Sequence, residues 1–126
     1  MATPVSTPKE LPATTKAIET PSNDTNSDKP YWDLFVQYFG SQVQSAYAVC
    51  TAENQGHIVD KINYANSDGS FDSGLCQINS CHYDRVNNLS ELLNPETNIR
   101  VASELYKEQG FGIWVQYQNG EYLKFM

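Results

Sequence analysis

An α+β fold, mostly helical with one small antiparallel sheet, is the class this sequence predicts. Apolar residues recur at helical spacing in three stretches, residues 31–40, 43–53 and 94–110. Between the second and third lies an extended-looking run, "KINYANSDGSFDSGLCQIN", broken by the turn pair Asp68-Gly69, which reads as a small β-hairpin. No internal repeat is visible, and 126 residues suit one small domain.

Residues 1–29 are rich in Pro, Ser and Thr and contain no aromatic residue. Such a segment buries too little surface to offset its ordering entropy, so a disordered linker or tail is expected there, with the folded domain spanning 30–126. The opening "MATPVSTPKELPATT" has no apolar h-region, so no signal peptide is expected in it.

In "YWDLFVQYFG" the apolar residues follow helical spacing, and Gly40 is a natural C′ stop. Ser41 and Gln44 then have capping-box spacing. Val43, Ala46, Tyr47 and Cys50 follow at i, i+3, i+4 and i+7, the positions of a buried face. Extending that face three residues reaches Glu53. An acid in the last turn on the apolar side is unusual, because desolvation and the negative helix end both disfavour its charge. The next helix starts with Asn94 as N-cap and Pro95 at N1, closes at Gly110, and turns Ile99, Ala102, Leu105 and Tyr106 inward. The C-terminal "FGIWVQYQNGEYLKFM" holds a short aromatic-rich helical piece.

Composition excludes several functions. Net charge is −7 and the pI about 4.6, with no cluster of Lys or Arg, so nucleic acid is not an expected partner. No apolar run approaches the ~18 residues of a membrane span, so no spanning segment is expected. No C-x-x-C occurs, and His57 and His82 are far apart, so neither a metal site nor another cofactor is expected. Three cysteines, Cys50, Cys76 and Cys81, allow three single pairings.

Two carboxylates carry the chemical interest. Glu53 reads plainly as a frayed helix end, but a carboxyl kept neutral near neutral pH is a general acid. Asp72, past the hairpin turn, reads plainly as a turn residue; "NSDGSFD" lacks the full frame of a calcium loop. A second carboxylate facing a protonated one is what glycosidic cleavage requires. In "GLCQINS", read as a strand, Gln77 and Asn79 alternate with Cys76 and Ile78. Their amides suit sugar hydroxyls and N-acetyl groups, because an amide donates and accepts together. Trp114 and Tyr117, three apart, are core aromatics or walls of a sugar site.

Together these pieces resemble the lysozyme superfamily. "DGSFDSGLCQINS" is very similar to the D-G-S-x-D-x-G-[IL]-x-Q-I-N-S hairpin of c-type lysozymes and specialised bacterial lytic transglycosylases. "IWVQYQN" is similar to their A-W-V-A-W-x-N segment, and the order of elements matches over roughly residues 43–122. The resemblance implies a lysozyme-like fold, with a sheet flanking a substrate cleft. It implies a monomeric peptidoglycan glycosidase that cleaves the β-1,4 MurNAc–GlcNAc bond as a muramidase or lytic transglycosylase. An extracellular or cell-envelope location and a bacterial or phage origin would go with that. A non-catalytic glycan-binding or structural module on the same scaffold is the alternative.

By the resemblance, Glu53 matches the catalytic acid and Asp72 the second carboxylate. Asn66, Gln77 and Asn79 match cleft positions, and Trp114 the tryptophan beside the acid. His82, Tyr83 and Tyr117 stand where c-type enzymes carry tryptophans, and Asn54 where a serine is usual. The four-disulfide framework is absent. Cys50 and Cys76 fall on core-facing positions and are the pair the resemblance implies; Cys76–Cys81 is the rival.

Overall fold

A computed structural model describes residues 29–126, so most of the Pro/Ser/Thr-rich stretch lies outside the described residues. Residues 33–126 form one compact unit. In the short described part that precedes it, the Lys29 ammonium lies 4.9 Å above the Trp32 ring. The architecture is mostly helical with a three-stranded antiparallel sheet. The helices are α1 (Trp32–Phe39), α2 (Val43–Glu53), α3 (Pro95–Gln109) and α4 (Val115–Gln118), with short 3-10 turns between them. The strands are β1 (Ile62–Asn63), β2 (Asp72–Ser73) and β3 (Ile78–Asn79). No helix among the described residues is long and apolar enough to cross a membrane.

Helix α1 ends at Gly40, which takes φ +55 as a C′ glycine should. The expected capping box at Ser41 and Gln44 does not form. A 3-10 turn over Gly40–Gln42 intervenes, and Gln42 caps α2 without a side-chain hydrogen bond. Nor is α2 one-sided: Ala46 to Ala52 are all buried. Its small residues let it sit between neighbours, packed against α4 and the C-terminal turn Glu121–Phe125. Helix α3 spans the expected residues. Asn94 Oδ1 accepts from Thr97 N at 3.0 Å, Pro95 opens the helix, and Gly110 closes it at φ +76.

Aromatic rings pack in and beside a largely aliphatic core. Phe35 meets Tyr47 edge-on at 4.9 Å. Tyr106 and Phe111 lie 4.2 Å apart, and Tyr117 sits between Phe111 at 5.5 Å and Tyr122 at 4.7 Å.

The expected hairpin is part of a sheet built from two. In the first connection the turn runs Asn66 to Gly69, with Gly69 N donating to Asn66 O at 3.2 Å, so Ser67 and Asp68 are its central pair rather than Asp68-Gly69. The second connection is Gly74–Gln77, within the stretch expected to be a strand. Gln77 therefore leaves the strand and takes φ +51. A Cβ on Gly74, at φ +80, would lie 2.2 Å from Asn98 Nδ2 and 2.3 Å from Leu92 O, so only glycine fits.

The sheet register decides what faces where. Asp72 pairs with Asn79 and Asn63, and Ser73 pairs with Ile78 and Ile62. Directly paired residues share a face and alternate along each strand, so Asp72 and Asn79 share one side while Ser73 and Ile78 are buried on the other.

Candidate active site

A cleft of about 460 Å³ is lined by Glu53, by the hairpin residues Asn66, Asp68, Ser70, Asp72 and Asn79, and by Trp114 and Val115. Gln77, Cys81 and His82 also line it. The two carboxyls singled out in the sequence thus share one cavity.

Glu53 is the last residue of α2 and is half buried. Its Oε2 accepts one hydrogen bond, from Gln116 N at 3.1 Å. Burial pushes its carboxyl above the usual range, and the charge of Asp72 pushes the same way. The Gln116 N–H and the Lys61 charge oppose this with smaller effect than burial. A carboxyl so placed keeps its proton to higher pH than an exposed glutamate.

Asp72 sits in a different environment. Its Oδ1 accepts from Asn79 Nδ2 at 2.9 Å and its Oδ2 from Asn66 Nδ2 at 3.2 Å. Both amides also donate to Ser70 Oγ, at 3.0 Å from Asn79 and 3.3 Å from Asn66. Ser70 Oγ in turn donates to Asp68 Oδ1 at 2.6 Å. The polarity of this network follows from its ends. A carboxylate only accepts, so Asp68 accepts the hydrogen bond from the Ser70 O–H and leaves the hydroxyl oxygen to accept from both amides. Each Asn therefore turns its NH₂, not its carbonyl, toward Asp72.

Other expected residues divide. Trp114 is buried and donates from Nε1 to Cys76 O at 2.9 Å. Gln77 Nε2 donates to Gly74 O at 2.9 Å and Lys61 O at 3.3 Å, so its amide holds the turn as well as lining the cleft. His82 lies in the 3-10 stretch Ser80–Arg85, and burial, then the Arg85 charge, holds its imidazole below the usual value. Tyr83, in the same stretch, is 67% exposed, and Tyr117, partly buried, packs between Phe111 and Tyr122; neither lines the cleft.

Four positioning residues were not singled out for those roles from sequence. Ser70 and Asp68 set the network polarity. Asn54, fully buried, donates to Gly74 O at 3.1 Å and Ile58 O at 2.8 Å and accepts from Ile58 N, joining the end of α2 to the hairpin turn. Asn98, fully buried on α3, accepts from Cys76 N and donates to Ser73 O and Leu92 O, all at 2.8 Å. For Asn98 the signal available was an Asn among the inward-facing residues of α3, since a buried polar side chain survives only with its partners in place; Asn54 follows α2, and Ser70 and Asp68 lie in the hairpin connection, outside any helical pattern.

Cys50 and Cys76 form a disulfide, with Cα atoms 4.4 Å apart, and Cys81 is free and exposed. Among the described residues no three His, Cys, Asp or Glu side chains converge as metal ligands would. In comparisons with known proteins, no family matches this chain and no curated protein matches it.

Proposed function

We propose that this cleft is the active site of a glycosidase that cuts the β-1,4 bond between N-acetylmuramic acid and N-acetylglucosamine in peptidoglycan, on a lysozyme-like scaffold. One observation carries the reading. Two carboxyls share a cleft in opposed environments, Glu53 made hard to ionise by burial and Asp72 bound by amide donors at both oxygens. Opposed environments are how one functional group serves as both acid and anion.

In this mechanism the protonated Glu53 gives its proton to the glycosidic oxygen. The C–O bond breaks and positive charge develops on the anomeric carbon, where Asp72 supplies a facing negative charge. Glu53, now a carboxylate, takes a proton from the incoming hydroxyl. If that hydroxyl is water, the product has a reducing end. If it is the 6-hydroxyl of the muramyl residue, a 1,6-anhydro sugar forms. Asn66, Asn79 and Gln77 line the same cleft, but their NH₂ groups are engaged by Asp72, Ser70 and backbone carbonyls, so what they add for a sugar is acceptor capacity at the amide oxygens.

Mass spectrometry of soluble products from purified peptidoglycan tests this, with Glu53→Gln alongside. Muropeptides from the wild type alone are expected, and a mass lower by one water identifies the anhydro product. Equal release by the variant would remove Glu53 from the role. Intact glycan retained by both proteins would point to a binding module instead.

A further inference from the structure

We propose that the Cys50–Cys76 disulfide is a positioning clamp for the carboxylate pair, so that the cleft becomes competent only when this bond is formed. The inference rests on the glycosidase reading but has a readout that does not need turnover.

The two sulfurs sit on the two elements that carry the carboxyls. Cys50 is three residues before Glu53 on α2, close to one turn away. Cys76 lies in the turn that joins the strand of Asp72 to the strand of Asn79. The bond therefore ties the element bearing one carboxyl to the element bearing the other.

Cys76 is also a node for the rest of the site. Its N–H donates to Asn98 on α3, and its carbonyl accepts from Trp114 Nε1. Two residues beyond Trp114, the Gln116 N–H donates to Glu53. The connections close a circuit: Glu53 through α2 to Cys50, across the disulfide to Cys76, through its carbonyl to Trp114, along the chain to Gln116, and back to Glu53. Of the three links between segments in this circuit, the disulfide alone is covalent.

The bond has no slack around it. Cys50 is 3% exposed and Cys76 0%. Reduction adds two hydrogens to a close-packed interior and frees the two segments to separate. The turn can then move with Trp114 and Asn98, changing both the water exclusion at Glu53 and the placement of Asp72. Formation of the clamp balances simply. A thiolate of Cys50 or Cys76 attacks a small disulfide oxidant, giving a mixed disulfide; the second protein thiolate displaces it, so two protein thiols and one oxidant disulfide yield one protein disulfide and two small thiols. Such a clamp forms where disulfides persist and stays open in a thiol-reducing compartment.

The test compares the full chain oxidised with glutathione disulfide, the same chain reduced with dithiothreitol, and Cys50→Ala/Cys76→Ala. Thiol titration verifies one free thiol per chain against three. In the reduced chain, kcat on peptidoglycan is expected to fall at least tenfold with KM within about twofold, and to return on re-oxidation. By NMR, the Glu53 carboxyl titration should move down toward that of an ordinary glutamate, and the Trp114 indole N–H should lose protection from exchange. The double variant should match the reduced chain in both states of the buffer. Unchanged kcat, or unchanged Glu53 titration and Trp114 protection, would overturn the proposal. Loss of circular dichroism in both the reduced chain and the double variant would also overturn it, by making the bond a staple of the whole fold. If no form releases muropeptides, the glycosidase reading fails, while the Glu53 and Trp114 signals still decide whether the bond positions the pair.

Discussion

The two walls of the cleft hold the same functional group by different means. The helical wall holds Glu53 with one backbone N–H and surrounds it with buried surface. The hairpin wall holds Asp72 with two amide side chains, themselves oriented by Ser70 and Asp68. On one side burial raises the carboxyl's hold on its proton; on the other, amide donors fix the carboxyl's position. A carboxyl's role is thus set by what surrounds it rather than by the residue type.

The sharpest way to break the comparison is Glu53→Gln, which keeps the shape and removes the proton. Activity on peptidoglycan should fall by about 10²- to 10⁴-fold, the usual contribution of a general acid, while the fold stays intact. Next is Gly74→Ala on the hairpin wall. It forces a Cβ onto Asn98 and the Leu92 carbonyl, and a denaturant melt should show a loss of about 2–4 kcal/mol. An unchanged melt would mean that the turn tolerates movement and that the wall is less rigid than described. Asn79→Ala leaves Asp72 with Asn66 alone, so kcat should drop about tenfold, equivalent to ~1.4 kcal/mol. The smallest effect concerns pH. Because the folded Glu53 value is raised, its contribution to stability is full below the unfolded glutamate value and is lost as pH rises through the folded one. Melting temperatures across that window should decline more in the wild type than in Glu53→Gln, and the alkaline limb of activity should follow the same group. Parallel declines would place Glu53 in an ordinary solvated environment.

The helices were legible because their signals are local. Asn94, Pro95 and Gly110 mark the ends of α3 by cap chemistry alone. Glu53 was legible as an acid on an apolar face. The sheet was read only in outline. Strands of two residues carry too little alternation to locate, and the Gly74–Gln77 turn depends on Asn98, more than twenty residues downstream, for space and hydrogen bonds. The capping box at Ser41 and Gln44 gave way to a 3-10 turn because Gly40 had already redirected the chain. Tyr83 and Tyr117 had the right residue type, but their placement depends on a 3-10 stretch and an aromatic stack that no short window reveals.

The disulfide also has a consequence for chain integrity. Both carboxyls lie inside the loop it closes, between Cys50 and Cys76. Within that loop Tyr64 is 71% exposed, near the turn at Asn66–Gly69, where a protease would find accessible backbone. A cut there separates Glu53 from Asp72 in sequence yet leaves one covalent molecule, with each fragment still bearing its acid. Nicking between the two acids should therefore release no fragment until a reductant is added.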